Sequence, residues 1–152
     1  MDAIDTKILA LLQQDATLSV SEIARQVHLS TTATWKRIQN LEEAKIIRKR
    51  VTLLDAARLN VGVTVFVSIR TNQHNAEWLA KFARIVSDIP EVVEFYRMSG
   101  DIDYLLRVVA PDIAGYDQVY KRLIRDTQLF DVSSSFAMEE LKYTTALPLD
   151  YV

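Results

Sequence analysis

The stretch "SVSEIARQVHLSTTATWKRIQNLEEA", residues 19 to 44, decides the reading of the N-terminal third. Ser19-Val20-Ser21-Glu22 has the form of a capping box, with Ser19 as N-cap and Glu22 three residues on. It opens a short helix that turns Ile23, Ala24 and Val27 inward. Val27-His28-Leu29 is a turn, and Ser30 caps a third helix running to about Ala44. Apolar positions of that helix are Ala33 or Thr34, Ile38 and Leu41. Upstream, Ile4, Ile8, Leu11 and Leu12 form a stripe at helical spacing, with Asp2 and Asp5 in the first turn. Three helices with a tight turn before the third make a helix-turn-helix pattern.

Beyond Ala44 the period changes. Ile46-Ile47 and Val51-Thr52-Leu53-Leu54 read as extended, and residues 55–60 as a turn or short helical connector. Val61, Val63, Val65, Val67 and Ile69 then occupy every second position, the mark of a half-buried strand. Residues 76–89 return to helical spacing and stop at Pro90. Strands follow at Val92–Met98 and Tyr104–Ala110, joined by Ser99-Gly100-Asp101. Pro111-Asp112 opens a helix, and a last strand is expected from about Val132 to Tyr143. The fold class is therefore α+β: an N-terminal three-helix helix-turn-helix domain and a C-terminal ferredoxin-like βαββαβ sandwich. The boundaries place the first domain at 1–47, a strand linker at 48–60 and the second domain at 61–152. One sheet face should expose Phe66, Phe95 or Tyr96, Phe136 and Met138, which predicts an oligomer.

The charge is uneven. Eight Lys/Arg stand against six Asp/Glu in residues 1–50, although the whole chain carries a formal net charge of -2. Six of those cations lie between residues 35 and 50. A local cationic patch on an acidic chain is a confined electrostatic footprint. The side chains expected to meet double-stranded DNA are Ser30, Thr31, Thr32, Thr34, Trp35, Lys36, Arg37 and Asn40, with Arg48, Lys49 and Arg50 on phosphates. The competing reading is a solvated amphipathic helix. The chain has no cysteine, no apolar run of ~20 residues and no signal-peptide pattern, so a cytoplasmic protein without disulfides or membrane spans is expected.

Catalytic and metal signals are poor, and neither a catalytic nor a metal site is expected. His28 and His74 have no metal spacing, and Ser133-Ser134-Ser135 lacks a nucleophile-elbow frame. Gly62, Gly100 and Gly115 are too scattered for a phosphate loop. The Gly100-Asp101-Ile102-Asp103-Tyr104 turn offers open backbone N–H groups for a carboxylate and two aspartates for an ammonium; alternatively it is a solvated β-turn.

The chain resembles the Lrp/AsnC, or feast/famine, family of transcription regulators over nearly its whole length. The residues that carry the resemblance are Ile4-Asp5-Thr6-Lys7-Ile8-Leu9, residues 23–30 across the turn and Trp35 to Glu42. Pro90-Glu91-Val92, Gly100 to Leu106, Ser134 to Lys142 and Leu147-Pro148-Leu149 carry it through the second half. The final stretch is most similar to members linked to leucine, methionine or cysteine sensing. The resemblance implies a homodimer built through the sheets, often assembled to an octamer, that binds a pseudo-palindromic operator. It implies a small amino-acid effector at the interface between dimers, near the Gly100 turn and residues 126–131, and no cofactor. The expected effector residues are Met98, Gly100, Asp101, Asp103, Tyr104, Thr127, Gln128 and Asp131. His28, Lys45 and Asp131 stand where the family usually has glycine. A non-DNA-binding, amino-acid-sensing assembly module is the alternative function, and a ferredoxin-like enzyme a third.

Overall fold

The computed structural model describes residues 1–125 and 127–152. The chain divides into two compact units: residues 1–53 with 141–152, and residues 54–140.

In the first unit, α1 (Ala3–Gln14), α2 (Val20–Val27) and α3 (Thr31–Glu43) enclose Ile8, Ile23 and Ile38, with Val27 and Leu41 beside them. Each helix begins with a side chain that satisfies backbone donors its first turn leaves free. Asp2 caps α1, accepting from the Ile4 and Asp5 N–H groups, each at 2.9 Å. Ser19 and Glu22 form the expected capping box, and Ser30 accepts from the Ala33 N–H at 3.2 Å. The sequence read Asp2 and Asp5 only as first-turn charges; they form a capping box as well.

Helix ends explain two of the missing glycines. His28 (φ 57°) ends α2 and Lys45 (φ 60°) follows α3, both in the left-handed region. After α3, the Lys45 N–H donates to the Glu42 carbonyl and the Ile46 N–H to the Leu41 carbonyl, each at 3.0 Å. That is a Schellman closure with lysine where glycine is usual. The Leu29 N–H closes α2 likewise on Ala24.

Two segments differ, within this single chain, from what the sequence pattern suggests. The segment expected as a strand linker, 48–60, forms no strand. Val51, Leu53 and Leu54 are exposed and have no neighbouring strand to complete their hydrogen bonds, without which a strand has no ladder. Residues 55–61 close as a turn, with the Val61 N–H on the Ala56 carbonyl and Asn60 left-handed. The tail 141–152, expected in the second domain, belongs to the first unit. There the Gln13 amide bonds the Leu147 backbone both ways, at 3.1 and 2.7 Å, and Leu149 packs on the three-helix core.

The second unit has the expected βαββαβ order. A four-stranded antiparallel sheet, ordered β2-β3-β1-β4, comprises β1 (Val63–Arg70), β2 (Val92–Arg97), β3 (Tyr104–Ala110) and β4 (Asp131–Phe136). Helices α4 (Ala76–Ser87) and α5 (Ile113–Arg125) supply Phe82, Val86, Tyr116, Val119 and Leu123 to a core shared with Val65, Val67, Ile69, Leu106 and Val108. The last strand stops well short of Tyr143. The Ala137 N–H donates to the Thr64 carbonyl, and β1, which β4 pairs with among the described residues, begins at Val63. Opposite the helices, Phe66 (40% exposed) and Tyr96 (50%) remain open; Phe136, expected on that face, lies instead on the helix side, paired in register with Val65 and edge-on to Tyr116, because the pleat of β4 turns every second residue to α5. Phe95 is the inward member of its pair, packed edge-on to Phe82.

Lys45→Gly should stabilise the fold by about 1 kcal/mol, the cost of a side chain in the left-handed region. In a urea titration this appears as a higher midpoint at unchanged slope. A lower midpoint would mean that the Lys45 side chain contributes more to the native state than its backbone strain costs.

Candidate nucleic-acid interface and ligand cleft

Packing decides which side chains α3 presents. Burying Ile38 and Leu41 sets one face inward, and Thr34, one turn earlier, goes with them. Thr34 has 0% exposure, and its hydroxyl has no hydrogen-bond partner among the described residues. The expectation that Thr34 meets DNA is therefore wrong. Its polar character suggested a surface position, but helical spacing makes it part of the core stripe. Thr31, Thr32, Trp35, Lys36 and Asn40 are exposed, as are Ser30, Arg48, Lys49 and Arg50. Trp35 is 54% exposed, unusual for so large an apolar ring.

The cations differ in what they face. Arg50 pairs with Glu42 at 2.9 Å. Arg37 turns toward α1, where its Nη1 donates to Asp5 at 2.7 Å and to Asp2 at 2.8 Å. Hydrogen bonds to Asp5 and then Asp2 hold the Arg37 guanidinium pKa above its ordinary value. The Asp5 backbone N–H, followed by Arg37, holds the Asp2 carboxyl below its usual range. Among the described residues Lys36, Lys45, Arg48 and Lys49 have no carboxylate within ion-pair distance. Unmatched cations beside exposed hydroxyls and an open ring suit a polyanion with readable edges.

In the second unit, Met98, Asp103 and Tyr104 line a cleft of about 250 Å³ with Gln73, His74, Asn75, Ala76, Leu79 and Arg97. The cleft arises where the β1–α4 loop lies against the ends of β2 and β3. The Met98 N–H donates to the Asp103 carbonyl at 2.8 Å, closing the hairpin. Gly100 sits in its loop at φ 119°, a conformation that L side chains rarely adopt. The Asp103 Oδ2 accepts from the Thr71 N–H at 2.8 Å, leaving Oδ1 for another donor. Asp101 is not among the residues lining this cleft, and its backbone carbonyl accepts from the Arg70 Nε at 2.7 Å.

The expected effector residues are thus not all brought together. Thr127 and Gln128 line a different groove with Trp78, Lys81, Phe82 and Arg125, and Asp131 pairs in register with Arg70. Residue 126, at the start of that expected segment, lies outside the described residues. The cleft residues that the sequence did not single out for the effector are Gln73, His74, Asn75, Ala76, Leu79 and Arg97. The polar run Thr71 to Asn75 before a helix was the available signal, but its approach to β2 and β3 is a property of the fold. Among the described residues no His, Asp and Glu group is placed to hold a metal ion, and no helix is long and apolar enough to cross a membrane.

A three-helix unit whose third helix exposes Lys36 and is followed by Lys45, Arg48, Lys49 and Arg50, with a βαββαβ unit bearing a cleft, has the make-up of a helix-turn-helix regulator with a ligand-binding domain. A model of the AsnC-type helix-turn-helix domain matches residues 1–42, and a model of the Lrp/AsnC ligand binding domain matches residues 64–147. The chain belongs to the Lrp/AsnC family and is a DNA-binding transcriptional regulator. It is 49% identical to the DNA-binding transcriptional activator DecR of Escherichia coli K12 over 151 residues, 99% of each chain. It is 62% identical to an AsnC family transcriptional regulator from Agrobacterium tumefaciens, whose crystal structure superposes over 99% of each chain with a TM-score of 0.96. The transcriptional regulator NMB0573 of Neisseria meningitidis, solved in complex with L-Met, is 32% identical, with 99% of this chain and 98% of that one covered and a TM-score of 0.94.

Thr34→Val keeps the shape and removes an unpartnered buried hydroxyl. It should raise unfolding free energy by about 1 kcal/mol or more and leave DNA affinity unchanged. Weaker DNA binding by this variant would mean that Thr34 does turn outward on the duplex.

Proposed function

We propose that this regulator responds to a small amino acid and binds an operator through paired copies of α3. The observation that carries the DNA half is the outward face of α3, with unmatched Lys36 beside Thr31, Thr32 and Trp35. In this reading Ser30, Thr31, Thr32, Trp35, Lys36 and Asn40 meet the major groove, and Arg48, Lys49 and Arg50 the flanking phosphates. The open sheet face around Phe66 and Tyr96 supports a homodimer, further assembled to an octamer. Two-fold pairing places half-sites ~10 bp apart, or a multiple of that, in a pseudo-palindromic operator.

The cleft carries the effector half. Arg97 suits the carboxylate of an amino acid and the open Asp103 Oδ1 its ammonium, while Met98 and Leu79 meet an apolar side chain. The L-Met complex of NMB0573 supports an effector from the leucine, methionine and cysteine group. Gly100, Asp101, Thr127, Gln128 and Asp131 complete the site where dimers meet. The effector acts by binding one assembly or one orientation of the helix-turn-helix units better than another. Such a regulator works in the cytoplasm, and DecR and the Agrobacterium protein bear the names of regulators rather than enzymes.

Fluorescence anisotropy of a labelled duplex, over a salt series and with each of the twenty amino acids, tests both halves. The logarithm of affinity should fall linearly with the logarithm of salt, and Lys36→Ala should reduce that slope by about 1. At least one amino acid should shift the affinity. A salt-independent affinity contradicts the DNA half, and indifference to all twenty contradicts the effector half.

A further inference from the structure

Arg37 stands among the recognition-helix cations in the sequence, yet its guanidinium ends on α1. Its Nη1 bridges the two carboxylates of the α1 capping box. Each carboxylate is divided between two tasks. Asp2 gives Oδ1 to the Ile4 and Asp5 N–H groups and Oδ2 to Arg37. Asp5 gives Oδ2 to the Asp2 N–H and Oδ1 to Arg37. The Asp5 side chain is only 16% exposed and that of Arg37 30%. One positive charge thus faces two negative ones, so this cluster offers phosphate no net attraction.

We infer that Arg37 is a positioning residue: it fixes the rotation of α3 against α1 and so sets which side chains reach the base edges. Apolar packing of Ile38 and Leu41 holds α3 to the core but is non-directional. Charge-assisted hydrogen bonds are directional, and here they anchor one flank of α3 to a rigid helix start. One residue along an α-helix is a rotation of ~100°, so a modest turn of α3 redirects Trp35 and Lys36 together. Losing Arg37 therefore lowers discrimination between sequences, whereas losing a phosphate contact lowers affinity for all of them.

This inference rests on the sequence-specific DNA binding proposed above. The test begins with a duplex enriched from a random pool by the wild-type protein, and a scrambled duplex of equal composition. Affinities of wild type, Arg37→Ala, Arg37→Lys and Asp5→Asn are measured on both over a salt series, beside thermal melting. Asp5→Asn is the decisive variant: asparagine keeps a capping oxygen, so the variant folds, and it removes a negative charge from the DNA-binding unit. Simple electrostatics predicts tighter binding to both duplexes. The positioning role predicts about a tenfold fall in the ratio of enriched to scrambled affinity, the scale of one well-placed base contact. Arg37→Ala should show the same fall with an unchanged salt slope, and Arg37→Lys should restore part of it. A slope reduced by about 1 in Arg37→Ala, with Asp5→Asn binding both duplexes more tightly, overturns the inference in favour of a phosphate contact. An unchanged ratio with only a lower melting temperature reduces Arg37 to a stabilising residue and overturns it equally. A wild type that enriches no sequence contradicts the specific-binding reading itself and takes the inference with it.

Discussion

Ile8, Ile23 and Ile38, one from each helix and all but excluded from water, are the contact on which the first unit depends. Each of these side chains contributes ~1.5–3 kcal/mol of hydrophobic stabilisation, at the centre of a core that Leu9, Val27 and Leu41 extend. The same contact dictates function. Once α3 must turn Thr34, Ile38 and Leu41 inward, its remaining faces are fixed by the helical repeat. Thr31, Thr32, Trp35 and Lys36 then share the outer surface because Ile38 is buried.

Electrostatics refines what packing leaves free. Asp2 and Asp5 cap α1 and hold Arg37, so two carboxylates serve secondary structure and tertiary orientation together. Four cations on α3 and just after it, Lys36, Lys45, Arg48 and Lys49, have no acidic partner among the described residues. In the second unit a different economy holds. Val65, Val67 and Ile69 go to the helix side of the sheet, and Phe66 between them is left on the other, where Arg107 pairs with Glu94 at 2.7 Å. That face is apolar with a charged centre, suited to a partner that matches both.

Much of this was legible in the sequence because it follows from local rules. The Ser19–Glu22 box, the alternation of β1 and the stripes of α4 and α5 each need only short stretches of chain. The left-handed turns after α2 and α3 could be placed from the missing glycines at His28 and Lys45. What was misread depends on contacts distant in sequence. Thr34 looked exposed because hydroxyls usually are, although its spacing to Ile38 said otherwise. The partners of Arg37 were hidden because nothing local links it to Asp2 and Asp5, more than thirty residues away. Leu147 returns to Gln13 of α1 across 134 residues and Leu149 to the three-helix core, and the linker's Val51 to Leu54 has the composition of a strand but, among the described residues, no strand beside it. The cleft was half seen: the Gly100 turn announced itself, but its opposite wall, Gln73 to Ala76, came from the fold.

The central claim is that two copies of the α3 face read one duplex. Hydroxyl-radical footprinting on a duplex enriched by the protein tests it most directly. The account predicts two protected segments on one side of the helix, with centres ~10 bp apart or a multiple of that. A single protected segment, or protection without that spacing, would contradict it.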